Sequence, residues 1–273
     1  MTPRQKIRLS ETALFLENWV FPLIFAYFCF VHVNVLLGFR HAIFGYFRTC
    51  LDDGLDLGDV NFTLFLLLRV LLIAMNVAFA VGLTTRERTD HQFEDWREVV
   101  VPLAATFVGF LAGALLHQQS RINVQLLPAS MSSLLSSLGL AIVVSGALIS
   151  VAAAWQLKRS FSVYVESHSV VDSGVYSMTR HPMYVGHGLR LVGYCLMNGF
   201  LMYILLSAAT LALLVYRARL EERRLSRTEP GYRAYARRTP RFLSFGGSPR
   251  PRSSVLPVAV SAAAPRNKPA SKI

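Results

Sequence analysis

Long apolar stretches dominate this sequence of 273 residues and constrain its fold more than any other feature. Hydrophobic residues make up 53% of the chain, and charged residues only 16%. Several stretches reach the roughly 20 apolar residues that an α-helix needs to cross a bilayer. A transmembrane β-barrel would show short segments of alternating hydrophobicity instead, and the sequence lacks them. The composition therefore predicts an all-α integral membrane protein.

The first part of the chain contains four of these stretches. We expect transmembrane helices at approximately residues 14–39, 62–83, 102–117 and 134–157. An aspartate-rich loop is expected after the first helix and a charged loop after the second. Pro102 is expected to open the third helix, because proline is tolerated in a first helical turn. Gly139 and Gly146 favour close packing of the fourth helix against another one. Residues 1–157 thus form a predicted N-terminal domain.

A second apolar region suggests a helical hairpin. It begins at Pro182, is interrupted at Asn198-Gly199, and resumes over 200–216. The first arm, 182–197, spans about 24 Å as a helix, less than a hydrocarbon core of roughly 30 Å. We expect a hairpin with one short arm, which brings the total to about five or six transmembrane helices.

The composition changes again after the hairpin. From Ser244 onwards the chain is rich in Pro, Ser, Ala, Gly, Arg and Lys and cannot bury a core. We predict a disordered basic tail at 244–273, which leaves 158–243 as a separate core domain that contains the hairpin.

Basic residues lie mainly at the ends of the predicted helices and in the tail, and the net charge is +12. This distribution indicates contact with a membrane surface, and the absence of a nucleic-acid-binding motif argues against nucleic acid as a partner. Lys and Arg are abundant in the N-terminal segment, after the second helix and after the fourth. The positive-inside rule therefore predicts that both termini and the start of the hairpin are cytoplasmic.

A polar motif, Arg180-His181-Pro182, precedes the hairpin. Pro182 biases His181 towards an extended conformation and can start a helix. Arg180 and His181 then lie just before a helix N-terminus, where free N–H groups and the helix dipole favour anions. The motif is suited to a carboxylate or phosphate. Its alternative interpretation is a basic mark at the cytoplasmic edge of a helix.

A carboxylate pair, Glu221-Glu222, follows the second arm of the hairpin among several arginines. Such a pair can bind a cation or sugar hydroxyls, or it can form local ion pairs at a solvated helix end. Because a hairpin returns both ends to one side of the membrane, we expect the pair to face Arg180 and His181. The histidines, including His168 and His187, match no metal-binding spacing, so no metal site is predicted.

Together these motifs resemble the isoprenylcysteine carboxyl methyltransferase and phospholipid N-methyltransferase superfamily. The resemblance covers roughly residues 160–243. It is carried by Gly174, Tyr176, Arg180, His181, Pro182, Tyr184, Gly186, Glu221, Glu222, Gly231, Tyr232, Tyr235, Pro240 and Arg241. The chain departs from the family by having Glu229-Pro230 where Phe-Gly is common, and by its long basic tail.

The resemblance implies an integral membrane methyltransferase that uses S-adenosylmethionine in a cytoplasmic cofactor pocket. The implied acceptor is lipophilic: a prenylcysteine carboxylate, a phospholipid amine or an isoprenoid-like molecule. Arg180 and Glu222 are the implied catalytic residues. The implied cofactor contacts are Gly174, Tyr176, Arg180, His181, Pro182, Tyr184, Gly186, Glu221 and Glu222.

Two other functional classes stay open at this point. A sterol-type membrane reductase that uses NADPH has a similar Arg-His-Pro-x-Tyr motif, although it typically has Asn where this chain has Met183 and usually lacks the Glu-Glu pair. A non-enzymatic membrane protein could retain the same residues. No motif supports acyl hydrolysis or a classical nucleotide-binding fold.

Overall fold

The computed structural model of the protein describes residues 10–52, 57–85, 93, 95–117, 132–157, 163–164 and 170–243. Nearly all the regular structure in these residues is helical. In chain order the helices are α1 (Ser10–Gly38, with a π-helical turn at Leu16–Val20), α2 (Arg40–Asp52), α3 (Leu57–Thr85), α4 (Arg97–His117), α5 (Ser132–Leu157), α6 (Pro182–Asn198), α7 (Leu201–Thr228) and α8 (Tyr232–Arg238), and a 3-10 turn spans Gly174–Ser177.

Four of the helices are long and apolar enough to cross a membrane: α1, α3, α5 and α7. This confirms the predicted all-α membrane class. Helix α6 has 17 residues and forms the expected short arm of the hairpin. Helix α4 has 21 residues. The count of five or six transmembrane helices and the three-domain division stay predictions.

Two local predictions are wrong. The expected loop after α1 is helix α2, because Tyr46 anchors this segment to α3 with its hydroxyl 2.5 Å from Thr63 Oγ1. Helix α4 begins at Arg97, and Pro102 lies inside it. Its first turn includes Glu98, whose Oε2 accepts a hydrogen bond of 3.0 Å from Arg224 Nη1 on α7. This tertiary contact stabilises a turn ahead of the proline.

Helices α5 and α6 pack backbone against backbone through two glycine pairs. A Cβ atom added to Gly139 would lie 2.7 Å from the Gly193 carbonyl oxygen, and one added to Gly193 would lie 2.5 Å from the Gly139 oxygen. Gly146 and Gly186 form a second pair, with 2.5 Å in both directions. Only glycine allows this approach, so the predicted close packing of Gly139 and Gly146 is confirmed and α6 is the partner helix.

The hairpin turns at Asn198-Gly199, as predicted. Gly199 has φ 61°, in the left-handed region that glycine adopts most easily, and its N–H donates to the Cys195 carbonyl over 2.8 Å. Helix α7 then runs from Leu201 to Thr228, well past its apolar part. The start of α6 and the last turns of α7 therefore meet at one end of the hairpin.

Helix α1 packs against α3 through aromatic rings and against the chain after α5 through a polar contact. The rings of Phe25 on α1 and Phe79 on α3 lie 5.2 Å apart. The carboxylate of Glu17 in α1 is buried and accepts a 2.6 Å hydrogen bond from the Val163 backbone N–H. The predicted charged loop, His168 and the tail at 244–273 lie outside the described residues, apart from a few positions before α4.

Candidate functional site

The first turn of α6 places the predicted anion-binding residues. His181 precedes the helix as its N-cap residue, and Pro182 occupies the first helical position. The backbone N–H groups of Tyr184 and Val185 donate to the His181 carbonyl over 3.1 and 3.0 Å. Arg180 and His181 therefore lie just before a helix N-terminus, as their sequence predicts.

Glu222 on α7 reaches across to this turn. Its Oε1 lies 3.1 Å from His181 Nε2 and 3.2 Å from Arg180 Nη1. Arg241 donates from Nε to Oε1 over 2.9 Å and from Nη2 to Oε2 over 2.6 Å. This bidentate geometry gives strong, directional hydrogen bonds. One buried carboxylate thus holds two guanidinium groups and an imidazole together.

Glu221 completes the cluster from the preceding position. Tyr184 Oη donates to Glu221 Oε1 over 2.5 Å, and Arg217 Nε donates to the same oxygen over 2.9 Å. The other carboxylate oxygen, Oε2, lies 3.7 Å from His181 Nδ1. The His181 ring therefore bridges the two glutamates, and it stacks on the Tyr184 ring at 5.2 Å. We call Arg180, His181, Glu221, Glu222 and Arg241 the clamp.

The chain after α8 closes the clamp from a third direction. The Arg180 N–H donates to the Pro240 carbonyl over 2.9 Å, and Thr179 Oγ1 donates to the Arg241 carbonyl over 2.9 Å. Tyr235 Oη donates to the Tyr176 carbonyl over 2.7 Å. These bonds hold the backbone of Pro240 and Arg241 beside Arg180, and they thereby keep the Arg241 guanidinium next to Glu222.

The tyrosines around the clamp stay protonated. Burial raises the pKa of Tyr232 to about 12, and the charge of Glu222 adds to that shift. Burial also raises the pKa values of Tyr176 and Tyr235 above the ordinary value. Near neutral pH all three phenols are therefore neutral. Tyr235 uses its proton on the Tyr176 carbonyl, whereas Tyr232 Oη has no hydrogen-bond partner among the described residues.

Three predicted cofactor contacts have visible packing or turn roles. Gly174 has φ 56°, and a Cβ there would lie 2.3 Å from Gln156 Nε2. Pro182 is fully buried. A Cβ on Gly186 would meet Ser150 Oγ at 2.4 Å on α5. The proposed contact of these residues with a cofactor stays a prediction, whereas their structural role is a direct consequence of the packing.

Three residues of the site have roles that sequence reasoning did not assign. Arg217 lies one helical turn before Glu221, a spacing that indicates an ion pair and could have been recognised. Arg241 belongs to the Pro240-Arg241 motif, but its partner is 19 residues away in sequence. Glu17 interacts electrostatically with Arg217 from the first helix. Only the tertiary structure reveals that contact.

One donor within the clamp has no acceptor. Among the described residues, Arg180 Nε is buried and meets no acceptor in hydrogen-bond geometry, although the Arg180 guanidinium interacts with the buried Tyr232 hydroxyl, which also has no partner in such geometry. A buried, unsatisfied donor costs free energy unless a ligand supplies the acceptor. The arrangement is therefore suited to an anionic ligand group beside Arg180, with glutamate oxygens close enough to bind hydroxyl or ammonium groups of the same ligand.

Comparison with known proteins agrees with the motifs. Residues 134–228, which include α5, α6 and α7, match the model of the phospholipid methyltransferase family. Over this segment the match agrees with the superfamily that the motifs resemble. The segment holds the glycine pairs, the hairpin and four of the five clamp residues, and Arg241 lies just beyond it.

Two curated relatives are also similar to this chain. The cobalt-zinc-cadmium resistance protein CzcN of Cupriavidus metallidurans is 33% identical over 159 residues, which cover 56% of this chain and 64% of CzcN. The nickel-cobalt-cadmium resistance protein NccN of Alcaligenes xylosoxydans is 40% identical over 79 residues, 28% of this chain and 37% of NccN. The chain thus spans less than two thirds of the length of either relative.

A solved structure also aligns along most of the chain. It is that of the eukaryotic intramembrane Ras methyltransferase ICMT, isoprenylcysteine carboxyl methyltransferase. The alignment covers 88% of this chain and 96% of that one at 16% identity, with a TM-score of 0.38. This score is too low for the likeness to support a conclusion about the site.

Proposed function

We propose that this protein is an integral membrane methyltransferase that moves a methyl group from S-adenosylmethionine to a lipophilic acceptor. The observation that carries the proposal is the clamp. Arg180 and His181, which precede the first arm of the hairpin, meet Glu221 and Glu222 near the end of its second arm, with N–O distances between 3.1 and 3.7 Å. The family match over 134–228 supports the same reading.

The residues of the clamp fit the groups of S-adenosylmethionine. The cofactor has a carboxylate, an ammonium group and two ribose hydroxyls. Arg180, with its buried and unsatisfied Nε, suits the carboxylate. Glu221, whose Oε2 lies 3.7 Å from His181 Nδ1, suits the ammonium group or the hydroxyls, since carboxylates accept hydrogen bonds from both. The neutral phenol of Tyr232 adds a donor.

Catalysis requires mainly that the acceptor and the methyl group are correctly positioned. The bound cofactor supplies a methyl group that its sulfonium has already activated. The protein has to align the acceptor with this methyl group and exclude water, and such positioning can contribute roughly 7–11 kcal/mol. We place Arg180 in contact with the cofactor. Glu222 acts by fixing Arg180 and His181 in place.

The need for a base depends on the acceptor. A carboxylate acceptor reacts in its ionised form and loses no proton. An amine acceptor has to lose one, and the candidates to take it up are His181 and the glutamates whose oxygens lie 3.1 and 3.7 Å from its two ring nitrogens. Methylation of an amine should therefore depend on these groups much more than methylation of a carboxylate.

We further propose that the clamp faces the cytoplasm and that the acceptor reaches it from the bilayer. The positive-inside distribution of Lys and Arg supports the orientation. The apolar part of α7 exposes Leu201, Met202, Ile204 and Leu205, which supports contact of this helix with lipid.

Calorimetric titration of the purified full-length protein with S-adenosylmethionine tests the proposal. We expect binding by the wild type and a loss of at least about tenfold for Arg180→Gln, because one charge-assisted hydrogen bond is worth about that factor. Arg237→Gln, an exposed arginine of α8 outside the clamp, is the matched control. A folded protein that ignores S-adenosylmethionine but is stabilised by NADPH would favour the reductase.

The acceptor can be identified in cells. Lipid extracts from cells with the wild-type protein, with Glu222→Gln and without the protein should differ in species that gain one CH₂ unit only with the wild type. The names of CzcN and NccN concern metal resistance. Growth of the same three strains on graded cobalt, zinc and cadmium therefore tests whether such a methylated lipid affects metal tolerance.

A further inference from the structure

A second charged feature lies on the flank of α7 beside the clamp. It is a cavity of about 500 Å³ with five arginines in its wall, together with Glu222 and Ser226. We call it the arginine cavity. Its arginines are Arg219, Arg223, Arg227, Arg233 and Arg241.

Helix geometry concentrates the charge. Arg219, Arg223 and Arg227 are spaced four residues apart, so they lie along one face of α7. Like charges at this spacing repel each other. Helix α8 brings Arg233 to the same cavity. The fold therefore assembles positive charge where local electrostatics oppose it.

Three of these arginines differ in their partners from the arginines in and next to the clamp. Arg180, Arg217 and Arg241 each pair with a glutamate. In the part of the chain that the structure describes, Arg219 and Arg223 are exposed and form no ion pair, and the same holds for Arg233.

Glu222 does not neutralise the cavity. Both of its oxygens are already engaged, Oε1 by Arg180, His181 and Arg241 and Oε2 by Arg241. The remaining wall therefore carries an excess of positive charge that an anion from outside can balance. Guanidinium groups bind phosphate oxygens in a bidentate fashion, so phosphate is the ligand chemistry that fits best.

The height of the cavity along α7 indicates the source of the phosphate. Arg219 and Arg223 follow Tyr216, the last residue of the apolar part, by about 4.5 and 10 Å along the helix axis. The headgroup layer extends roughly 5–8 Å beyond the hydrocarbon core on each side, so Arg219 lies within it and the backbone of Arg223 lies just beyond it. Arginine clusters next to a membrane helix at this level are typical of sites for anionic lipids.

We propose that the arginine cavity binds the phosphate of an anionic phospholipid headgroup. The proposal is independent of methyl transfer, because it rests on the arginines that the clamp does not use. Arg241 is the one arginine shared by the cavity and the clamp.

Native mass spectrometry of the detergent-purified full-length protein, incubated with phosphatidylglycerol or phosphatidylcholine, tests the proposal. The wild type should retain phosphatidylglycerol and not phosphatidylcholine. The double variant Arg219→Gln/Arg223→Gln should bind phosphatidylglycerol at least about tenfold more weakly. The double variant Arg237→Gln/Arg238→Gln removes the same charge from exposed positions of α8 outside the cavity and should bind like the wild type.

Several outcomes would overturn the proposal. Equal losses in the two double variants would mean diffuse attraction to positive charge. Inorganic phosphate that competes with the lipid at similar affinity would indicate a soluble ligand. Loss of S-adenosylmethionine binding in Arg219→Gln/Arg223→Gln alone would make the cavity part of the cofactor site. Should that variant unfold, Arg219→Lys/Arg223→Lys can be used instead. It keeps the positive charge but removes the bidentate hydrogen bonding of guanidinium, so it should bind phosphatidylglycerol with intermediate affinity.

Discussion

Helix α6 makes two contacts of opposite kinds. Its first turn meets α7 and the chain after α8 through charges: Glu222 holds Arg180, His181 and Arg241. Its body meets α5 through bare backbone, with no side chain at Gly186 or Gly193 to separate the helices. The first contact offers groups that can bind a ligand, whereas the second offers none.

One short sequence motif therefore supplies both contacts. Arg180 and Gly186 belong to the same short motif, and both were predicted to contact a cofactor. In the structure Arg180 points its guanidinium into the clamp, while Gly146 and Ser150 occupy the space beside Gly186. The glycine positions the helix, and the helix positions the charged turn.

The largest effect is expected from Glu222→Ala. Removal of one partner from a buried cluster of charges typically costs about 3–5 kcal/mol, and here three groups lose their acceptor. We expect a large drop in melting temperature together with loss of S-adenosylmethionine binding. Glu229→Ala, at the end of the same helix, is the control and should melt near the wild type. A wild-type melting curve for Glu222→Ala would show that the charged contact does not stabilise the fold.

The glycine contact is tested by Gly146→Ala and Gly186→Ala. Each added Cβ would lie 2.5 Å or less from backbone or side-chain atoms of the facing helix, so the helices must separate. Overpacking of this kind costs about 1–3 kcal/mol. Gly188→Ala is the matched control on α6, because its Cβ would meet only the end of the Leu211 side chain at 3.3 Å.

The same pair of variants also tests whether Gly186 contacts the cofactor. If Gly186 only packs, Gly146→Ala and Gly186→Ala should lower the melting temperature alike and change S-adenosylmethionine affinity alike. Selective loss of affinity in Gly186→Ala, with stability retained, would return this residue to the cofactor site.

A smaller effect is expected from Tyr235→Phe. It removes the 2.7 Å hydrogen bond to the Tyr176 carbonyl and leaves a buried acceptor unpaired. The expected loss of stability is about 1 kcal/mol. Tyr27→Phe, at an exposed position of α1, is the control in thermal unfolding. Equal melting temperatures for the two variants would mean that this bond does not help to close the clamp.

The smallest effect is expected from Arg238→Gln. Arg238 pairs with Asp172, as Arg241 pairs with Glu222, but both side chains are nearly half exposed. Exposed ion pairs contribute about 0–1 kcal/mol. Asp172→Asn should give the same small change, and a loss as large as that of Glu222→Ala would contradict the role assigned to burial.

Sequence patterns predicted a good part of this architecture. The apolar stretches predicted helices α1, α3 and α5, and Asn198-Gly199 predicted the turn. The positions of Arg180-His181 before the hairpin and Glu221-Glu222 after it predicted that basic side chains and carboxylates face each other. The sequence failed at α2 and at the start of α4, where contacts from Thr63 and Arg224 extend helices beyond what local patterns indicate.

The features that could be predicted from the sequence depend on neighbouring residues: the membrane class, the short hairpin arm, and the helix start at Pro182. Apolar length, a glycine turn and a proline act locally, so they can be recognised without a fold. The pairing of charges, in contrast, depends on the folded structure. Glu222 meets Arg180 across 42 positions, and Glu17 meets Val163 across 146. Such pairs depend on how distant helices pack. The two glycine pairs, for example, set the distance between α5 and α6, and the packed α6 carries the charged turn at its start.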